Sequence, residues 1–476
     1  MTLKIIFLTI YVLLSSSEFG IINTVAGSGS KGYDGDGRQA TLATLYSPDG
    51  VAFDRLGNIF IADRMNHRVR MVTKITGIIT TVAGDGTAGY SGDFGLAILA
   101  KLNSPGGVAI DASRNIYIAD TQNRRIRKVT KITGIITTVA GDGTAGYGGD
   151  GGLATLAKLH NPLGINLDRS GNIYIADSAN YRVRKVTMST GIITTLAGTG
   201  SPGRTGDGGP ATSATLSYLY GVATDVSGNI YIADTVNSLI RMVTISTGII
   251  TTVAGGRTSG SLGDGGQATA ALLDYPCGVT LDTLGNIFIA DSDNRRIRLV
   301  MKSTGTITTV AGNGTLGYSG DKRQAMSARL HNPRSVAIDA LGNIIIADSG
   351  NDRIRMFTLV PAPTASPTVF TTTASPTLLD PAASAKTSSS PGKRCHVERC
   401  SDTEHPILSY PISSGSSMRA ITHHPPCSVL DYREGSRCWS DSYGTCVCDC
   451  NVPNTVVEQR ATLWFQRDGV RHLTML

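Results

Sequence analysis

Aromatic side chains are scarce in this chain, at 6% of residues, and long apolar runs are scarcer still. Beyond the first 17 residues no stretch approaches the ~20 apolar residues that cross a bilayer, which argues against a membrane span. Arg471-His472-Leu473 is too polar for a lipid-anchor signal, whose tail must be hydrophobic. Cysteine is nearly missing before residue 395, where Cys277 stands alone. Charge of one sign is in modest excess: 43 Lys+Arg against 36 Asp+Glu, a formal +7. Residues 20–360 hold 32 basic and 25 acidic residues, so the whole excess lies there. What the chain does have is glycine, 56 residues, beside many Ile, Val and Thr. That mixture favours short strands and tight turns over helices.

Residues 1–17 have the layout of a secretory signal: Lys4, then the apolar Ile5 to Leu14, then the small Ser15 and Ser17 before Glu18. From there a 57-residue unit repeats without insertion. Its apolar-apolar-Ala-Asp motif ends at Asp63, Asp120, Asp177, Asp234, Asp291 and Asp348. The Gly after Val-Ala (Leu-Ala in one copy) recurs at 27, 84, 141, 198, 255 and 312. One unit reads as four strands, Gly106 to Asp111, Asn115 to Asp120, Arg125 to Thr130 and Ile135 to Ala140. Each is β-branched and bounded by turn residues. Connections this short force antiparallel neighbours. The second strand is apolar on both faces, as in Ile173-Tyr174-Ile175-Ala176, so sheets must stack on both flanks, as radial blades do. The repeat array opens on a lone fourth strand, Ile21 to Ala26, and closes on a three-strand set ending near Val360. A ring lets the first complete the last and removes both free edges. The expected fold is therefore all-β: a six-bladed β-propeller of four-stranded antiparallel blades over residues 18–360, closed by the N-terminal strand against Arg353–Thr358.

The stretch from Pro162 to Val186, departing around Asn166, resembles the NHL repeat. Thr138 to Leu159 resembles the long-loop form of that repeat found in extracellular and bacterial propellers. The resemblance implies a platform that recognises protein, peptide or RNA. Six-bladed relatives that are amidating lyases or lactonases use asymmetric metal sites. No acid, nucleophile or metal cluster stands out from the sixfold pattern in this sequence.

Paired arginines in the third strand, such as Arg68 with Arg70, recur so that eleven of twelve positions are Arg, with Leu239 the exception. Such a ring could meet nucleic acid phosphates. The preferred reading is internal pairing with two repeated Asp series, those of Asp63 and Asp54. The structural pairs are then Asp63 with Arg70, Asp120 with Arg127, Asp177 with Arg184, Asp234 with Arg241, Asp291 with Arg298 and Asp348 with Arg355. The long loop after the fourth strand is the candidate binding face. Its residues are Tyr33, Asp36, Tyr90, Asp93, Tyr147, Asp150, Arg204, Asp207, Asp264, Tyr318 and Asp321, with the tyrosine slot varying to Arg204 and Ser261. One carboxylate per loop is thin for Ca²⁺. His160 and His331 share one slot three copies apart, the weak basis for a shared Zn²⁺ site. No resident cofactor is expected.

Residues 361–394 are a Pro/Thr/Ser-rich stalk without the means to bury a core, expected to be disordered. Residues 395–476 carry seven cysteines, which in a secreted chain imply disulfides. Asn313-Gly314-Thr315 is a glycosylation sequon. The functional expectation is a secreted or surface-displayed, non-enzymatic scaffold binding a protein, peptide or glycan through its loop faces. Two alternatives are a metal-dependent hydrolase or lyase in the central channel, with Ca²⁺ or Zn²⁺, and nucleic-acid binding through the arginines.

Overall fold

The computed structural model describes residues 20–256 and 258–359, with the backbone of four strands nearer the C-terminus. The expected signal (1–17) and stalk (361–394) lie outside the described residues, as does the pairing of the tail cysteines.

The first strand, β1 (Ile21–Ala26), is followed by four that make one blade: β2 (Pro48–Phe53), β3 (Ile59–Asp63), β4 (Arg68–Val72) and β5 (Ile79–Ala83). They pair antiparallel in chain order. Four more blades repeat this sheet over 108–140, 162–197, 222–254 and 276–311. The sixth has three strands of its own, Pro333–Ile338, Asn343–Asp348 and Arg353–Thr358, and takes β1 as its fourth. Asn23 lies opposite Met356 and Thr24 opposite Arg355, so the ring closes at the expected strand pair.

Each blade buries both faces, which is why the second strand is apolar throughout. The core between the blades is six clusters, one for each pair of neighbours. One of them joins Phe60, Val69 and Ala83 to Val108, Ile118 and Ile136 of the next blade. The alanines of the long loop belong to the same cores: Ala97, Ala100 and Leu102 are buried there, after a single 3-10 turn at Ala97–Leu99. The loop also bonds to the outermost strand, as Leu96 does to Ile135, so each blade's outer edge is covered. Its repeated sequence is thus explained by packing.

The innermost strands converge on the axis, and this convergence explains a glycine slot. A Cβ on Gly164 would lie 2.3 Å from the Tyr220 carbonyl oxygen, and one on Gly107 2.5 Å from that of Leu163. The slot is Gly in five blades and Ser335 in the sixth. In the turn between a blade's first and second strands, Arg114 stands where the other copies have Gly and adopts φ +65°, a left-handed conformation that glycine takes without strain.

In the C-terminal unit, Phe370–Leu476, Arg437–Ser440 pairs with Cys446–Asp449 and Thr462–Arg467 with Val470–Met475. The hairpins use short β-favouring runs, Leu463-Trp464-Phe465 among them, hidden among the cysteines and polar residues.

Candidate functional site

The repeated charges are built into the scaffold. Arg70 is fully buried; its guanidinium donates to Asp63 at 3.3 Å and to Asp36 at 2.6 Å. The same triad recurs as Arg127 with Asp120 and Asp93, and Arg184 with Asp177 and Asp150. Arg241 joins Asp234 and Asp207, Arg298 joins Asp291 and Asp264, and Arg355 joins Asp348 and Asp321. Burial pushes each inner carboxyl, from Asp63 to Asp348, up to about 6 despite its hydrogen bonds and arginine. The second partner of each arginine is therefore the loop Asp and not the Asp54 series. Asp54 instead caps its own turn, accepting from the backbone and side-chain amides of Asn58 at 2.9 and 2.8 Å.

The loop tyrosines are likewise engaged. Tyr90 donates to Asp93 at 2.9 Å, and its ring lies 3.7 Å from the Arg125 guanidinium carbon. Tyr147 and Tyr318 repeat this against Arg182 and Arg353, and Tyr33 stacks on Arg68. The fourth blade swaps both members of the pair, Arg204 replacing the tyrosine and Leu239 the arginine, and Arg204 donates to the Gly256 carbonyl at 3.0 Å. Most candidates of the loop face therefore spend their polar groups inside the blade. Asn313 is exposed, with its carboxamide oxygen accepting from the Thr315 backbone.

Symmetry breaks elsewhere, around the axis at the end where the inner strands begin. Two repeat positions differ in all six copies. One is the first channel-lining slot: Asp49, Gly106, Leu163, Tyr220, Cys277 and Arg334. The other is the tip of the loop after the second strand: Met65, Gln122, Ala179, Val236, Asp293 and Gly350. Two variable neighbours complete a rim. The backbone N–H of each tip residue donates to the slot of Tyr46, Asn103, His160, Ser217, Asp274 and His331. The slot of His67 reaches the next blade, where His67 Nδ1 accepts from Ser104 N at 3.1 Å and Asp352 from Ser47 N at 2.7 Å. The slots of Ser47 and His67 adopt left-handed φ near +50° in all six blades without a single glycine. Each such residue costs on the order of 1 kcal/mol, a strain that clusters where side chains are held for recognition. His160 and His331 thus sit on this rim. Among the described residues no group of three or more His, Cys, Asp or Glu could hold a metal.

At the centre of the rim the ring is tied across its axis. Tyr220 donates its phenolic hydrogen to Asp49, three blades away. Asp49 is fully buried and also accepts from Arg64 at 3.0 Å, with Arg334 at 3.6 Å. Arg334 donates to the Tyr220 oxygen at 3.2 Å. Arg64 itself is an exception: the other five copies of its slot are Ser or Thr, each latching to the next blade, as Thr121 does to the Pro162 carbonyl at 2.8 Å. Cys277 is buried beside Tyr220, and burial pushes its thiol up to about 12, so it stays protonated and inert. The repeat pattern by itself passes over this ring. Laying the six copies side by side at one slot is the signal that finds it.

Comparison with known proteins agrees with this architecture. A model of the teneurin NHL domain matches residues 142–202, and a model of the NHL repeat matches 45–70 and 330–357. Among curated proteins, Protein SUPPRESSOR OF QUENCHING 1, chloroplastic, of Arabidopsis thaliana is 30% identical over 337 residues, 68% of this chain and 31% of that protein. Human NHL repeat-containing protein 2 is 28% identical, covering 66% of this chain and 47% of its own length, and human Teneurin-1 is 26% identical over 12% of its length. The chain thus spans about half or less of the length of these relatives. Among solved structures, a Bacteroides thetaiotaomicron protein of unknown function superposes with a TM-score of 0.54 at 20% identity over 71% of this chain and 75% of its own. An auxiliary nutrient binding protein of the same organism gives 0.51 at 18% identity, over 71% of this chain and 75% of its own. At these identities the structures speak for the fold alone. With the repeat matches and the six closed blades together, the chain is an NHL-repeat six-bladed β-propeller protein.

Proposed function

We propose that this propeller is a non-enzymatic, extracellular or surface-displayed scaffold that recognises a protein, peptide or glycan on its long-loop face. Its ligand rests on the variable rim around the axis. The observation that supports this is where the repeats diverge. The outer loops keep their Tyr, Asp and Arg because these hold the blades. The tip slot from Met65 to Gly350 bears no such load and differs in every copy. Met65 and Val236 are exposed there, 43% and 54% accessible, as an interaction surface requires. The N-terminal apolar segment and the cysteine-rich tail favour secretion.

A displayed peptide library selected on the purified chain tests this reading. Selected peptides should lose at least tenfold in affinity on Met65→Ser/Val236→Ser and keep it on Tyr90→Phe. Peptides sensitive to Tyr90→Phe and indifferent to the rim pair would refute it.

A further inference from the structure

Behind the Asp49–Tyr220 tie, the inner strands line a half-open cavity of about 230 Å³ on the axis. Apolar side chains such as Val51, Ile165 and Val279, then Phe53, Ile110 and Ile338 further along the strands, line it together with polar Asn166, Thr280 and Ser335 and with glycines that leave backbone exposed. Asp49 and Arg334 are the charged side chains that line it, both at one end. They do not cancel. Asp49 is matched one-to-one by Arg64 at 3.0 Å, while Arg334 is further from it, at 3.6 Å, and bonds the neutral Tyr220 hydroxyl. The cluster therefore holds two guanidiniums against one carboxylate. Arg334 is 31% accessible, so its remaining donors are open to a partner. Ligand cavities are typically apolar with a few placed polar groups that fix orientation. A channel of mixed lining, with apolar side chains along the strands and one surplus guanidinium at its end, offers both kinds of group.

We infer that the channel binds a small monocarboxylate whose apolar body lies along the inner strands and whose carboxylate pairs with Arg334. This is a second site, separate from the rim, and it stands whether or not the rim binds a macromolecule. The arginine fork suits a carboxylate by two parallel N–H bonds.

Calorimetric titration of the full chain with hexanoate, 1-hexanol and hexylamine tests the inference. Hexanoate should bind saturably and at least tenfold more tightly than the alcohol or the amine. Arg334→Gln should bring hexanoate down to the level of the alcohol, and Arg334→Lys should keep a large part of the preference. Since Asp49 retains Arg64 in both variants, the fold should hold, which circular dichroism checks. Equal binding of hexanol and hexanoate, an unchanged preference in Arg334→Gln, or no saturable binding of any probe at millimolar concentration would overturn it. Met65→Ser/Val236→Ser should leave hexanoate binding intact, which separates this site from the rim.

Discussion

Asp49 and Tyr220 lie three repeats apart in sequence and meet by a hydrogen bond across the axis of the ring. The phenol is the donor because burial and the neighbouring carboxylate hold it well above its ordinary range. The bond joins opposite blades directly, a contact that the neighbour-to-neighbour packing of the ring does not otherwise supply. Tyr220→Phe should lower stability by about 1–3 kcal/mol, the usual effect of leaving a buried acceptor short of a donor. Chemical denaturation checks this. A loss below about 0.5 kcal/mol would mean that Arg64 fully satisfies Asp49.

The buried triads respond more strongly. Arg127→Met leaves Asp120 buried without its cation and should cost about 3–5 kcal/mol. The same substitution should leave any binding of the folded protein to RNA unchanged, because the guanidinium is fully buried. A salt-sensitive RNA affinity that vanishes in a folded Arg127→Met variant would restore the nucleic-acid alternative.

Close approach at the axis makes one glycine slot intolerant. Gly164→Ala puts a methyl 2.3 Å from the Tyr220 carbonyl, against backbone that has no room to yield. It should destabilise by at least about 1–3 kcal/mol, the range for overpacking. Gly171→Ala, where a methyl meets nothing within 4 Å, should pay only for its φ of +79°. Thermal unfolding of the two variants gives the comparison.

Stability should peak in mild acid. The six inner Asp titrate at about 6 when folded against 3.8 unfolded, so the folded state holds their protons more tightly. Their contribution is fully present below 3.8 and is lost as pH rises through 6. The loop carboxyls Asp93, Asp150 and Asp321 act oppositely. Hydrogen bonds and arginines outweigh their desolvation and lower them, so their contribution is lost as pH falls below the ordinary carboxylate range. The melting temperature should rise from pH 7.5 to about 5 and fall below about 3.5. A monotonic fall from pH 7.5 would contradict this balance.

These features differ in how far the residues announced them. The ring and its closure were legible because the 57-residue step never slips and the incomplete ends complement each other. The inner pairs of Arg70 with Asp63 follow from adjacent strands. Their second partners did not follow. Asp36 lies 34 residues away in a loop whose path the repeat pattern does not reveal, whereas Asp54 seemed nearer and is consumed by Asn58. The axial cluster was hidden for a different reason. A search for what repeats passes over Asp49, Arg64, Tyr220 and Arg334, each of which is a departure from the pattern.

The most direct test of the central claim, that recognition belongs to the variable rim, is hydrogen–deuterium exchange with and without a peptide selected on the full chain. Protection should concentrate in the rim segments 46–47 and 64–67 and their copies in neighbouring blades. Protection confined to the outer loops around Tyr90 and Tyr147, or to the turns around Asp54 and Asp111 at the opposite face, would contradict it.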